Sequence, residues 1–207
     1  MGIGNSNETL TTGISRRTVT KGIAWAAPAV AIAGAAPAYA SSPIPPNGLN
    51  GWVALSRRCG FFNNPNYLSV DGRGSYPSRG LWTFVPDPQA DITNATITFY
   101  FNRSNLSFNN GSGSESGWSD LVRNQAADAT APAAGFFAYT TTYTGGWTWR
   151  PTMQGPDGMD PGGWEANNDP FFTASGAGCG GAISAYARRS ITVNGETVTF
   201  LRGPIRV

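Results

Sequence analysis

Apolar and polar residues alternate along much of this chain, and the alternation has the period of a strand. The clearest case is 95–101, where Ile97, Phe99 and Phe101 interleave with Thr96, Thr98 and Tyr100, as expected of a half-buried strand. Shorter stretches of the same kind predict strands over 52–56, 67–70, 81–85, 136–144, 147–149, 190–193 and 196–201. Turn residues punctuate them. Asn63-Asn64-Pro65-Asn66 and Asp71-Gly72 each end a run, and Pro86-Asp87-Pro88 cannot sit inside a ladder. Gly145-Gly146 predicts a two-residue hairpin turn between 136–144 and 147–149. Asn194-Gly195 predicts a type I′ hairpin between the last two runs, with Ile191 and Val193 on one face and Val198 and Phe200 opposite. Residues 102–119 and 150–170 are rich in Asn, Ser, Gly, Asp and Pro and are read as long loops, and 121–134 has room for one short helical turn. About eight short strands and no long amphipathic helix predict an all-β chain: a single antiparallel β-sandwich, Ig-like or a related Greek key, with a jelly roll or barrel as the alternative.

The first forty residues break this pattern. Ser15-Arg16-Arg17-Thr18-Val19-Thr20-Lys21 is followed by an alanine-rich apolar run over 22–36 and then by Ala38-Tyr39-Ala40 before Ser41. A positive region, an apolar stretch and an A-x-A site are the parts of a secretory signal peptide, and the pair Arg16-Arg17 adds the twin-arginine signature of the bacterial Tat route, with the general secretory route as the alternative. The apolar run is too short, and too interrupted by Pro28 and Pro37, to be a lasting membrane span. The stretch 15–31 resembles the export segments of secreted surface proteins of actinobacteria, many of which carry Ig-like β domains. The resemblance implies an address, secreted or on the bacterial surface, and no activity. The expected organisation is a removed signal over 1–40, a Pro-rich leader over 41–50, and one β-sandwich domain over 51–207.

Composition then changes meaning. Of 14 basic residues, Arg16, Arg17 and Lys21 leave with the signal, and of 12 acids only Glu8 does, so 11 arginines face 11 acids and no lysine remains. A neutral domain with scattered charge has no electrostatic footprint for nucleic acid or an anionic membrane. Without lysine there is neither Schiff-base chemistry nor a Lys–Asn isopeptide crosslink, and no LPxTG-like sorting signal is seen. The chain has no histidine, which excludes Ser-His-Asp and Cys-His catalysis and His-ligated metals. Cys59 and Cys179 are the two cysteines, and in an exported chain they predict one disulfide closing most of the domain.

Three groups of side chains are candidates for chemistry. Asp157, Asp160 and Asp169, with Glu165, Asn167 and Asn168 between them, gather the oxygen ligands that calcium takes, although Asp, Asn, Gly and Pro also make turns for backbone reasons. The same acids are the suppliers of a carboxylate pair for glycoside hydrolysis. Trp147 and Trp149, two apart on a predicted strand, face one side, and Trp118 and Trp164 lie in polar loops; these four are candidates for stacking on a ligand, with core packing as the plain alternative. The pairs Arg57-Arg58 and Arg188-Arg189 read as solvated charge. No catalytic residue and no cofactor other than calcium is assigned. The expected function is a non-catalytic extracellular protein that binds a wall component, a glycan or another protein. A carboxylate-dependent glycan hydrolase and a self-assembling surface subunit are the alternatives.

Overall fold

The computed structural model describes residues 48–60, 66–74, 76–77, 79–110, 117–154 and 162–207. The signal residues Arg16, Arg17, Ala38 and Ala40 lie outside these, as do Asp157 and Asp160. Thirteen strands and one 3-10 turn are described, all paired antiparallel. The fold is an antiparallel β-sandwich without barrel closure.

One layer is a five-stranded sheet, ordered β13-β12-β5-β8-β7: β13 is Glu196–Arg206, β12 Ser184–Val193, β5 Ile92–Phe101, β8 Phe137–Tyr143 and β7 Val122–Arg123. Its centre is the strand whose alternation is plainest. Ile97, Phe99 and Phe101 are buried inward as expected. Tyr100 corrects the expectation of an open outer face: it is buried too, with Ala138 and Tyr186, beneath Phe136 and the 3-10 turn Gln125–Thr130. The predicted Asn-Gly hairpin forms, with φ of 49° at Asn194 and 85° at Gly195, the left-handed pair a type I′ turn requires.

The second layer consists of two four-stranded sheets. One is ordered β1-β4-β10-β9, with β1 Leu49–Trp52, β4 Gly80–Thr83, β10 Gly163–Ala166 and β9 Trp147–Arg150. The other is ordered β2-β3-β11-β6, with β2 Ala54–Arg58, β3 Tyr67–Asp71, β11 Phe171–Ser175 and β6 Ser107–Asn110. The registers set them end to end. β1 runs into β2 through Val53, and their partners β4 and β3 are joined by the excursion 72–79. β10 and β11 are likewise consecutive, parted by residues 167–170. At this break Gly72 N donates to Pro170 O (2.8 Å). A shared core joins both layers, running from Leu49, Leu68, Val70, Leu81 and Phe172 to Phe99, Phe101, Tyr139, Ile191 and Val193.

Several expectations are corrected. The Gly145-Gly146 turn does not make a hairpin: β8 and β9 lie in different sheets, because both edges of β8 are already taken by β5 and β7. The stretch 102–119 holds β6, and 150–170 holds β10; each strand is only four residues long, but each has an inward residue and a paired neighbour. β1 begins at Leu49, inside the expected leader. Cys59 and Cys179 lie at disulfide distance with Cα atoms 5.8 Å apart, tying the end of β2 to the loop after β11.

Arg189 is the sharpest correction. Inward positions of β12 alternate as Ala187, Arg189, Ile191 and Val193, so the period of two points this side chain into the core, where it is 1% exposed. Its Nε has no hydrogen-bond partner among the described residues, and one terminal nitrogen donates to Ala187 O at 3.4 Å. Burial, with Arg202 adding to it, pushes its pKa down to about 9, so it is still a cation at neutral pH. A buried charge without a carboxylate costs several kcal/mol.

Two outcomes follow from this packing. Reducing the Cys59–Cys179 pair, or replacing both by Ser, removes a constraint on a 120-residue separation and lowers stability by about 4 kcal/mol, or about 8–16 °C in Tm, read by thermal unfolding with and without reductant. Arg189→Met fills similar volume without the charge. It raises the urea midpoint, by about 1–4 kcal/mol in unfolding free energy.

Candidate functional site

The outer face of β4, β10 and β9 carries a row set by register. Trp82 lies opposite Glu165, and Glu165 opposite Thr148. Side chains one position along point the other way, so Thr83, Trp164 and Trp147 turn toward the core while Trp82, Glu165 and Thr148 turn outward. Tyr76, in the excursion between β3 and β4, lies over this row. Tyr76 packs edge-on to Trp82 with ring centroids 5.3 Å apart, and its hydroxyl donates to Gln154 O (2.6 Å). Between excursion and sheet opens a cleft of about 640 Å³, lined by Tyr76, Thr148, Arg150, Glu165, Asn167 and Asp169.

Each polar side chain there is held. Arg150 Nε donates to Glu165 Oε2 at 2.6 Å, and Tyr76 N to Glu165 Oε1 at 3.4 Å. Thr148 Oγ1 donates to Asn167 Oδ1 at 2.5 Å. Asp169 sits at the break between β10 and β11 and accepts from Gly74 N at 3.0 Å, which ties the excursion to the sheet. Gly80 is the residue that lets it in: at φ +94° a Cβ there would stand 2.7 Å from Asp169 Oδ1. Burial, then the fields of Glu165 and Asp71, push the Asp169 carboxyl above the usual carboxylate range, against the pull of the Gly74 N–H. The arginines nearby are engaged elsewhere. Arg73 and Arg79 both pair with Asp71, which the Arg73 hydrogen bond holds below that range.

Of the four candidate tryptophans, Trp118 and Trp164, expected in loops, are packed against the core, and Trp147 and Trp149 take the core-packing alternative. Trp147 and Trp149 do share one face of β9, but it is the inward one; Trp147 packs on the core beside Tyr143, and Trp149 sits edge-on to Trp164 at 5.7 Å. Trp164 is half-buried on β10 and donates to Asp87 O at 3.0 Å. Trp118 is a clear correction: it is 6% exposed, bridges to Tyr143, and donates its indole N–H to Asn168 O at 2.8 Å. The exposed tryptophan among the described residues is Trp52, at 37%, with the Arg202 guanidinium 3.8 Å over its ring.

Of the acidic group, the structure brings Glu165, Asn167 and Asp169 to one cleft. Among the described residues no three His, Cys, Asp or Glu side chains gather as metal ligands. The cleft's other members, Tyr76, Thr148 and Arg150, carried no signal in the sequence beyond their nearness to turns. Of the two basic pairs, Arg57 donates to Gly181 O at 2.6 Å beside the cysteines, and Arg188 donates to Thr130 O at 2.8 Å on the outer face of the other sheet.

The chain matches no family model, no curated protein and no solved structure.

Core tryptophan and surface tryptophan are separable by mutation. Trp118→Ala opens a large cavity and lowers unfolding free energy by about 3–5 kcal/mol. Trp52→Ala loses one stacked arginine and costs about 1 kcal/mol or less. Urea denaturation of both variants reads the difference.

Proposed function

We propose that this protein is exported and acts outside the cell as a non-catalytic binder of a polyhydroxyl ligand, a glycan of the wall or surroundings, held in the cleft between the 72–79 excursion and the outer face of β4, β10 and β9. The observation that carries the reading is the lining of that cleft. Arg150, Glu165, Asn167 and Asp169 are planar polar groups, Thr148 adds a hydroxyl, and Tyr76 an aromatic wall. A sugar offers hydroxyls that both donate and accept, and side chains fixed by their own hydrogen bonds meet it with little further loss of freedom. The signal-like segment over 15–40 supports the address, and the disulfide suits an oxidising compartment.

Hydrolysis of the glycan is the second reading, favoured by one observation. Glu165 and Asp169 line the same cleft in unlike settings, one beside Arg150 and the other pushed by burial toward its protonated form. Release of reducing ends from the bound glycan, lost in both Glu165→Gln and Asp169→Asn, is the result that would favour it over simple binding.

The binding reading is checked by screening the purified protein on immobilised bacterial-wall and plant oligosaccharides, followed by calorimetry on the hits. Arg150→Ala is expected to weaken binding about tenfold or more, the loss of a charge-assisted hydrogen bond, with Trp52→Ala unchanged. Absence of any carbohydrate hit, or equal loss from Trp52→Ala, contradicts the cleft as the site.

A further inference from the structure

The charges lining the cleft do not cancel. Arg150 sits on Glu165, Nε to Oε2 at 2.6 Å, and that pair is neutral as a unit. Asp169 has no such partner. Its carboxylate accepts one backbone N–H, from Gly74, and among the described residues no arginine lies within ion-pair distance of it. Arg73 and Arg79, the cations on the excursion beside it, are turned to Asp71. The neighbouring carboxylates Glu165 and Asp71, both of its own sign, add to burial in raising the Asp169 pKa. The domain has no lysine to supply a flexible counter-ion. A half-buried carboxylate that faces a ligand cleft without an ion-pair partner is stabilised by a cation brought from outside.

Resting on the glycan-binding reading, we propose that the cleft selects polyhydroxyl ligands bearing a free primary amine, with Asp169 receiving the ammonium group while Arg150, Asn167 and Thr148 meet the hydroxyls. An ammonium has three N–H donors, and Asp169 keeps lone pairs free beyond the one used by Gly74. An acetylated amine is neutral and bulkier, and keeps a single N–H for the carboxylate in place of a charged group with three. A uronic acid brings a second negative charge to a cleft that is already negative.

The test is calorimetric titration of the purified protein with three probes of equal length: a tetramer of glucosamine, the same tetramer fully N-acetylated, and a tetramer of galacturonic acid. At pH 6 and low salt the glucosamine tetramer is expected to bind about tenfold more tightly than the acetylated one, as one charge-assisted hydrogen bond allows, and the uronate most weakly. Raising salt to about 0.5 M is expected to shrink the amine's advantage in the wild-type protein, because the contact is partly exposed. Asp169→Asn keeps an oxygen for the Gly74 N–H and is expected to erase the preference, so that within the variant the glucosamine and acetylated tetramers bind with equal affinity. The salt series keeps the inference testable if that variant fails to fold. Equal affinity for amine and acetylated tetramers, or tightest binding of the uronate, overturns the amine selection and leaves glycan binding standing. Binding of none of the three while neutral glycans bind also overturns the selection. Binding of no carbohydrate at all removes the reading on which it rests.

Discussion

Between Asp71 and Gly80 a strand column of the second layer is interrupted, its pairing ending at Ala54 opposite Asp71 and resuming at Trp52 opposite Gly80, and the neighbouring column breaks at the same level between Ala166 and Phe171. Such a break strips backbone groups of their ladder partners, and they must be satisfied in other ways. Gly72 N–H goes to Pro170 O, and Gly74 N–H goes to the Asp169 carboxylate. The second bond fixes the height of the excursion over the sheet, and therefore the cleft. It also leaves Asp169 where a ligand can reach it. A structural duty and a chemical opportunity fall on one side chain, and Gly80 is what allows them to coincide.

The aromatic residues divide along the same line. Strands β9 and β10 turn Trp147, Trp149 and Trp164 toward the core and Thr148, Arg150 and Glu165 away from it. The tryptophans stabilise the sheet edge that the polar residues use. Trp82 is the exception, facing outward yet buried under Tyr76, Phe84 and Met153, with its indole N–H unpartnered among the described residues. Burial of that ring seats Tyr76, so the aromatic wall of the cleft rests on a core-like cluster of its own.

How much of this could be read from residues alone depends on local signal strength. The alternation around Ile97, Phe99 and Phe101 and the Asn194-Gly195 turn are local and strong, and both were legible. β6 and β10 were not, because Ser107-Phe108-Asn109-Asn110 and Gly163-Trp164-Glu165-Ala166 become strands through their neighbours rather than their own propensity. The Gly145-Gly146 turn misled because a turn records a reversal and not which sheet receives the next strand. Arg189 was legible in principle: its alternation with Ala187, Ile191 and Val193 already pointed inward, against the expectation that a charge is solvated. Glu165 and Asp169 were singled out by residue type, as calcium or carboxylate-pair candidates. Their partners Tyr76 and Arg150 were not, since the contacts between 73–76 and 150–169 exist only in the folded chain.

The account turns on the cleft at the sheet break being the place where ligand meets protein. Backbone chemical-shift mapping during titration with a bound oligosaccharide tests this most directly. Perturbations concentrated at 73–82, 148–150 and 165–169, with Trp52, Arg202 and the five-stranded sheet unmoved, are the predicted result. Perturbations centred on Trp52 and Arg202, or spread over β12 and β13 with the break silent, would contradict it.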